Sequence, residues 1–76
     1  MAKPISSVLT GTDPITIKRG FYALGMLNSG KIEAEFNGVP MPAGTSNNLP
    51  MVAGQSYEID LVVNPNGSTL ITHEIR

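Results

Sequence analysis

The chain has 76 residues, with five Lys and Arg, six Asp and Glu, a net charge of −1 and no cysteine. That length holds one domain, residues 1–76, and the missing cysteines exclude disulfides and thiolate metal sites. Among the cations only Lys18 and Arg19 are adjacent, so the sequence lacks the basic footprint of a nucleic-acid partner.

No run of apolar residues reaches the roughly 20 needed to cross a bilayer. Residues 1–5 lack the basic start and apolar run of a signal peptide, which predicts synthesis in a cytoplasm without secretion. So short a chain buries only about 60% of its unfolded surface, and its core supplies a few kcal/mol at best. With one histidine and scattered carboxylates, a structural metal is not expected either. Association with copies of itself or with a larger scaffold is the remaining source of stability.

Residues 1–3 read as a short flexible lead-in. Residues 5–10 predict a first strand, with Ile5 and Leu9 out of phase with Val8, so the inward face stays open. Gly11, Thr12, Asp13 and Pro14 form a loop, Asp before Pro being a turn starter. Ile15 and Ile17 alternate with Thr16 and Lys18 to give a second strand that Gly20 ends.

Residues 21–27 are apolar on both faces. As a strand they place Phe21, Ala23, Gly25 and Leu27 on one side and Tyr22, Leu24 and Met26 on the other. A short helical stretch carrying Phe21, Leu24 and Leu27 is the alternative, which Gly25 and the β-rich surroundings disfavour. Such a strand needs a cover on its second face, and a neighbouring subunit is one source of it. Phe21, Tyr22, Leu24, Met26 and Leu27 are therefore the candidate interface residues, with Met41 and Met51 as further apolar surface.

After a turn at Asn28, Ser29 and Gly30, residues 31–36 alternate cleanly. Asn37 and Gly38 form the strongest two-residue hairpin signal in the chain. Counting outward pairs Phe36 with Val39, Glu35 with Pro40, Ala34 with Met41 and Glu33 with Pro42. The prolines then fall at positions whose nitrogens face away from the partner strand, which makes residues 39–42 a blunted sheet edge. Residues 43–48 read as a surface loop and residues 49–53 as a short strand or connector. Residues 56–63 alternate Tyr57, Ile59, Leu61 and Val63 against Ser56, Glu58 and Asp60. Asn64, Pro65, Asn66 and Gly67 carry turn chemistry, and residues 68–75 are rich in β-branched side chains. The expectation is a C-terminal antiparallel hairpin. In all, seven or eight short strands predict an all-β fold, a small antiparallel sandwich or barrel.

No reactive constellation stands out. His73 alternates with Ile71 and Ile75 and reads as a packed or interfacial histidine, with a pH-sensitive contact as its use at a subunit boundary. Glu33 and Glu35 share the solvent face of one strand and read as a solvated pair rather than as glycosidase carboxylates. No catalytic, cofactor-binding or metal-binding residue is assigned, and no cofactor is expected. Tyr22 and Tyr57 are the only tyrosines and the only candidates for a sugar-binding platform. They carry the alternative reading, a carbohydrate- or receptor-binding module of a fibre or cell surface.

The segments ITIKRGFYALGML, KIEAEFNGVPMP and GQSYEIDLVV, in a short cysteine-free chain rich in Gly, Thr, Asn and Pro, resemble the small all-β accessory proteins of tailed bacteriophage particles. The resemblance spans the whole chain and rests on its general character rather than on a motif. It implies a non-catalytic structural role in the virion, as a capsid decoration protein or a minor head or tail component. It further implies a homo-oligomer, a trimer being one arrangement, in contact with a major capsid or tail protein. Neither a nucleic acid nor a membrane is an expected partner.

Overall fold

The computed structural model describes residues 3–76. It contains eight strands and no helix: β1 (Pro4–Leu9), β2 (Ile15–Ile17), β3 (Ala23–Asn28), β4 (Ala34–Phe36), β5 (Val39–Met41), β6 (Ser46–Leu49), β7 (Leu61–Asn64) and β8 (Leu70–Ile75). They form two four-stranded antiparallel sheets, one in the order β1-β8-β3-β6 and the other β2-β7-β4-β5. This is the strand order of a jelly roll. The pairs β4·β5, β3·β6, β2·β7 and β1·β8 are nested about one point. The fold is thus a long antiparallel ribbon rolled up, with residues 37–38 at its tip.

That tip is the hairpin expected from Asn37 and Gly38. Both residues have positive φ, 51° and 83°, as a turn whose twist matches that of its strands demands. The register is Phe36 with Val39, Glu35 with Pro40 and Ala34 with Met41, as counted from the sequence. β5 is an edge strand, and Pro40 offers that edge no donor.

The C-terminal hairpin is not formed. β7 and β8 lie in different sheets, joined by a turn in which Ser68 N donates to Pro65 O at 2.8 Å. Asn66 and Gly67 have positive φ there, 53° and 87°, so the local turn is the expected one. The strands it joins have no edge left for each other. β8 is flanked by β1 and β3, and β7 by β2 and β4. Leu61 and Val63 are therefore buried from one sheet, and Leu70 and Thr72 from the other, instead of lying beside each other. Alternation requires only that one face be buried, and an arch satisfies it as well as a hairpin does.

Three other boundaries move. Residues 31–33 are not strand, because Asn28 Nδ2 binds Ile32 O at 2.8 Å and holds residues 29–33 in a loop. Residues 56–60 are not strand either. Tyr57 alone exchanges backbone bonds with the 20–21 segment, Gly20 N to Tyr57 O and Tyr57 N to Phe21 O, and Ile59 is exposed. Conversely, the expected 43–48 loop yields β6, whose polar Ser46, Asn47 and Asn48 pair with Leu27, Met26 and Gly25 of β3. Of the expected lead-in, Met1 and Ala2 lie outside the described residues. Lys3 exchanges two backbone bonds with Arg76, extending the β1·β8 ladder.

The core lies between the sheets: Leu24, Met26 and Leu70 from one, Ile17, Ala34, Met41, Leu61 and Val63 from the other, with Phe21 entering just before β3. Phe21 stacks on Tyr57, ring centroids 5.1 Å apart, and the Arg76 guanidinium sits 5.9 Å above its ring. Arg76 also binds Lys18 O and Arg19 O, so the end of β8 is stapled to the chain that follows β2.

One polar residue sits deepest. Asn28 is fully buried at the end of β3, and all its capacity is used. Its Nδ2 donates to Ile32 O and Met41 O, both at 2.8 Å. Its Oδ1 accepts from Gly30 N at 3.2 Å and Ser68 Oγ at 2.6 Å. The cluster has no room to spare, since a Cβ on Gly30 would come within 2.0 Å of Ser68 Oγ. Asn28→Ala orphans four buried or part-buried polar groups in three segments. At about 1–3 kcal/mol for an unsatisfied buried group, the expected loss is about 3 kcal/mol or more, read as a lower urea midpoint. A midpoint within error of the parent would refute the role assigned to Asn28.

Candidate functional site

Strand register fixes what each sheet shows to solvent. On the outer face of the β1-β8-β3-β6 sheet, three rows run across the strands: Pro4, Ile75 and Ala23; then Ser6, His73, Gly25 and Asn48; then Val8, Ile71, Leu27 and Ser46. None of these eleven residues is an acid, lysine or arginine. The outer face of an antiparallel sheet is ordinarily its polar side, yet here Val8 is 64% exposed and Leu27 40%. The charges of the same strand sit elsewhere: Glu74 points inward, where Arg76 Nε meets its Oε2 at 2.7 Å.

The middle row carries the polar detail. His73 Nδ1 and Ser6 Oγ share a hydrogen bond of 2.8 Å across β8 and β1. On the other side of His73, Gly25 leaves a gap before Asn48. A Cβ at Gly25 would approach Asn48 Oδ1 to 2.9 Å. The result is a shallow cleft of about 340 Å³ bounded by Ile5, Ser6, Leu49, Asn48 and His73. Ser6 and His73 have the spacing of a hydroxyl nucleophile and its base, but the imidazole's row neighbours are Ser6, Gly25 and Asn48. Among the described residues no carboxylate lies in the three outward rows. A second cleft, about 400 Å³, opens between the sheets where β1 overhangs the short β2. It is lined by Leu9, Ile15, Ile17, Thr72, Glu74 and Arg76, among others.

The expected interface residues are divided by the fold. Phe21, Leu24 and Met26 are buried in the chain's own core, as is Met41, and none of them offers surface. Tyr22, 36% exposed, and Leu27 remain accessible, and Met51 is exposed. The physical reason is a phase break. Phe21 and Leu24 are three residues apart yet both buried, because the chain bends at Tyr22 before the strand begins, and from Ala23 onward β3 alternates with Leu24 and Met26 inward and Leu27 outward. The doubly apolar strand thus has one face covered by the opposite sheet and one left open. Pro4, Val8, Ile71 and Ile75 complete that open face, and sequence reasoning missed them because they come from strands distant in the chain. Tyr57 is half-buried against Phe21, and its hydroxyl donates to Pro50 O at 2.7 Å, as expected of a core or rim residue. Glu33 and Glu35 are both exposed. Among the described residues no group of three His, Asp or Glu side chains is placed to hold a metal ion, and no helix is long and apolar enough to cross a membrane.

Comparison of the chain with protein-family models, curated proteins and solved structures gives no match.

One electrostatic contact lies outside the face. Asp60 accepts from Arg19 N at 2.8 Å and from Arg19 Nε at 3.2 Å. The backbone bond, then the guanidinium, holds its carboxyl below the ordinary 3.8. A carboxylate lowered in the folded state stabilises above its unfolded pKa, and the effect is lost as pH falls through the folded value. Asp60→Asn is therefore expected to lower the urea midpoint slightly at pH 7 and to leave it unchanged at pH 2. An equal deficit at both pH values would contradict this.

Proposed function

We propose that the chain is a non-catalytic structural protein of a virus particle. It works by protein–protein contact, as a capsid decoration protein or a minor virion component seated on a major capsid or tail protein. The observation that carries this reading is the uncharged, part-apolar outer face of the β1-β8-β3-β6 sheet. Contact surfaces are depleted in charge at their centres. A lattice binder needs an uncharged contact patch of this kind more than it needs a deep pocket. The jelly-roll strand order adds support by analogy of fold alone, since that architecture recurs in viral capsid domains and in lectins. The placement of Tyr57 weakens the carbohydrate alternative. Its ring is stacked on Phe21 and its hydroxyl is engaged, which leaves Tyr22 as the one exposed aromatic platform.

The test is made on gradient-purified particles of the virus whose genome carries the sequence. Mass spectrometry is expected to find the chain there in many copies per particle. Leu27→Lys, which puts a charge at the centre of the face, is expected to cut retention by about tenfold or more, because an unpaired ammonium must be desolvated on docking. Particles without the chain, or full retention of the Leu27→Lys protein, would reject the reading.

A further inference from the structure

The two sheets have four edges, and three are guarded. β5 carries Pro40, with Pro42 just beyond it. β2 has three residues, preceded by Asp13 and Pro14 and followed by Lys18 and Arg19. β6 is four residues long and runs into Pro50. Short length, proline and charge are the devices that keep sheet edges from pairing with other chains. β1 carries them only at its N-terminal end, where Lys3 precedes Pro4; from Ile5 to Leu9 it has neither proline nor charge, and it is the longest of the four edge strands. It spans six residues, PISSVL, is uncharged throughout, and is exposed from Pro4 to Val8. Among the described residues no strand lies along its outer side.

The ladder to β8 fixes which backbone groups are free there. Lys3 and Arg76 exchange both bonds, Lys3 N to Arg76 O and Arg76 N to Lys3 O. Bonded and non-bonded pairs alternate along an antiparallel ladder, so Ile5, Ser7 and Leu9 turn their N–H and C=O groups toward β8. Ser6 and Val8 turn theirs outward, with the carbonyl of Pro4.

We infer that β1 is a dimerisation edge: it pairs antiparallel with β1 of a second copy about a two-fold axis at Ser7, joining two four-stranded sheets into one of eight. In this register Ser6 of each copy faces Val8 of the other, so the outward N–H and C=O groups of Ser6 and Val8 are all satisfied. Pro4 lies opposite Thr10, at the end of the ladder, where its missing N–H costs one bond rather than a gap in the middle. A second copy is the occupant because the strand is complementary to itself. It brings no charge to the axis, and Lys3 of each copy lies level with Gly11 of the other, two residues from Asp13. The join also makes the two uncharged outer faces continuous. The inference does not depend on what those faces dock against.

The register supplies its own test. Ser7 falls in a non-bonded pair on the axis, where the two Cα atoms stand about 4.5 Å apart, inside the range of about 4.4–6.8 Å that a disulfide bridges. The chain has no other cysteine. On mild oxidation Ser7→Cys is expected to become a covalent dimer of twice the 8.0 kDa chain mass, while Ser46→Cys, on the far edge, stays predominantly monomeric. In light scattering the parent is expected to run as a dimer. Ser6→Pro removes an outward N–H and no backbone bond to β8, but it also gives up the Ser6 Oγ–His73 Nδ1 bond; it is expected to be a monomer in light scattering and folded by circular dichroism, whereas Ser6→Ala, which loses only the side-chain bond, is expected to stay a dimer. Leu27→Lys, which alters the face and not the edge, is expected to remain a dimer. A parent that stays at the monomer mass up to millimolar concentration overturns the inference, including the case in which the same edge takes up a strand of a different protein. Cross-linking of Ser7→Cys no faster than Ser46→Cys overturns it as well.

Discussion

The fold depends on a carboxamide that cannot be replaced by anything apolar. Asn28 ends β3 inside the core and reaches the loop after it, the end of β5 and the turn before β8. Those segments belong to both sheets. A jelly roll of this size has little apolar interior with which to fix how its two halves face each other, and hydrophobic burial has no direction. Hydrogen bonds have direction, and four of them from one side chain set the register between the sheets. The price is that no member of the cluster tolerates change: Gly30 is there because Ser68 Oγ occupies the space a side chain would need.

Seen from the ribbon, the chain is organised around residues 37–38, where the ribbon turns back on itself. The Asn37–Gly38 turn and the register of β4 with β5 were readable residue by residue, because a two-residue turn with positive φ leaves one way to pair the flanking strands. The all-β class, the strand at β2 and the blunted edge at Pro40 were readable for similarly local reasons. What could not be read was which sheet a strand joins. Residues 61–64 and 70–75 alternate as a hairpin would, and the turn between them is a hairpin turn, yet β1 and β3 occupy both sides of β8. β6 was invisible for the opposite reason. Its Ser46, Asn47 and Asn48 lie at a sheet rim where little is buried, so no apolar alternation marks it.

The candidate surface was half legible. The excess of apolar positions in residues 21–27 is real, but a change of phase at the Tyr22 bend sends Phe21, as well as Leu24 and Met26, into the core. Leu27 is what reaches the outside, and there it meets Val8 and Ile71 from strands near the two ends of the chain. Low net charge, a feature of composition, thereby becomes a feature of place: the outer side of one sheet carries no ionised acid, lysine or arginine, and its β1 edge carries none either. The uncharged face and the longest open edge thus belong to the same sheet.

Hydroxyl-radical footprinting of the chain, free and on assembled particles, tests the central claim most directly, since it reports side by side which face is covered. The account predicts that Val8, Leu27, Ile71 and His73 lose labelling on the particle, while Val62 and Ile59, which are exposed away from that sheet, keep theirs. Equal labelling of the two groups in both states, or protection confined to Val62 and Ile59, would contradict it.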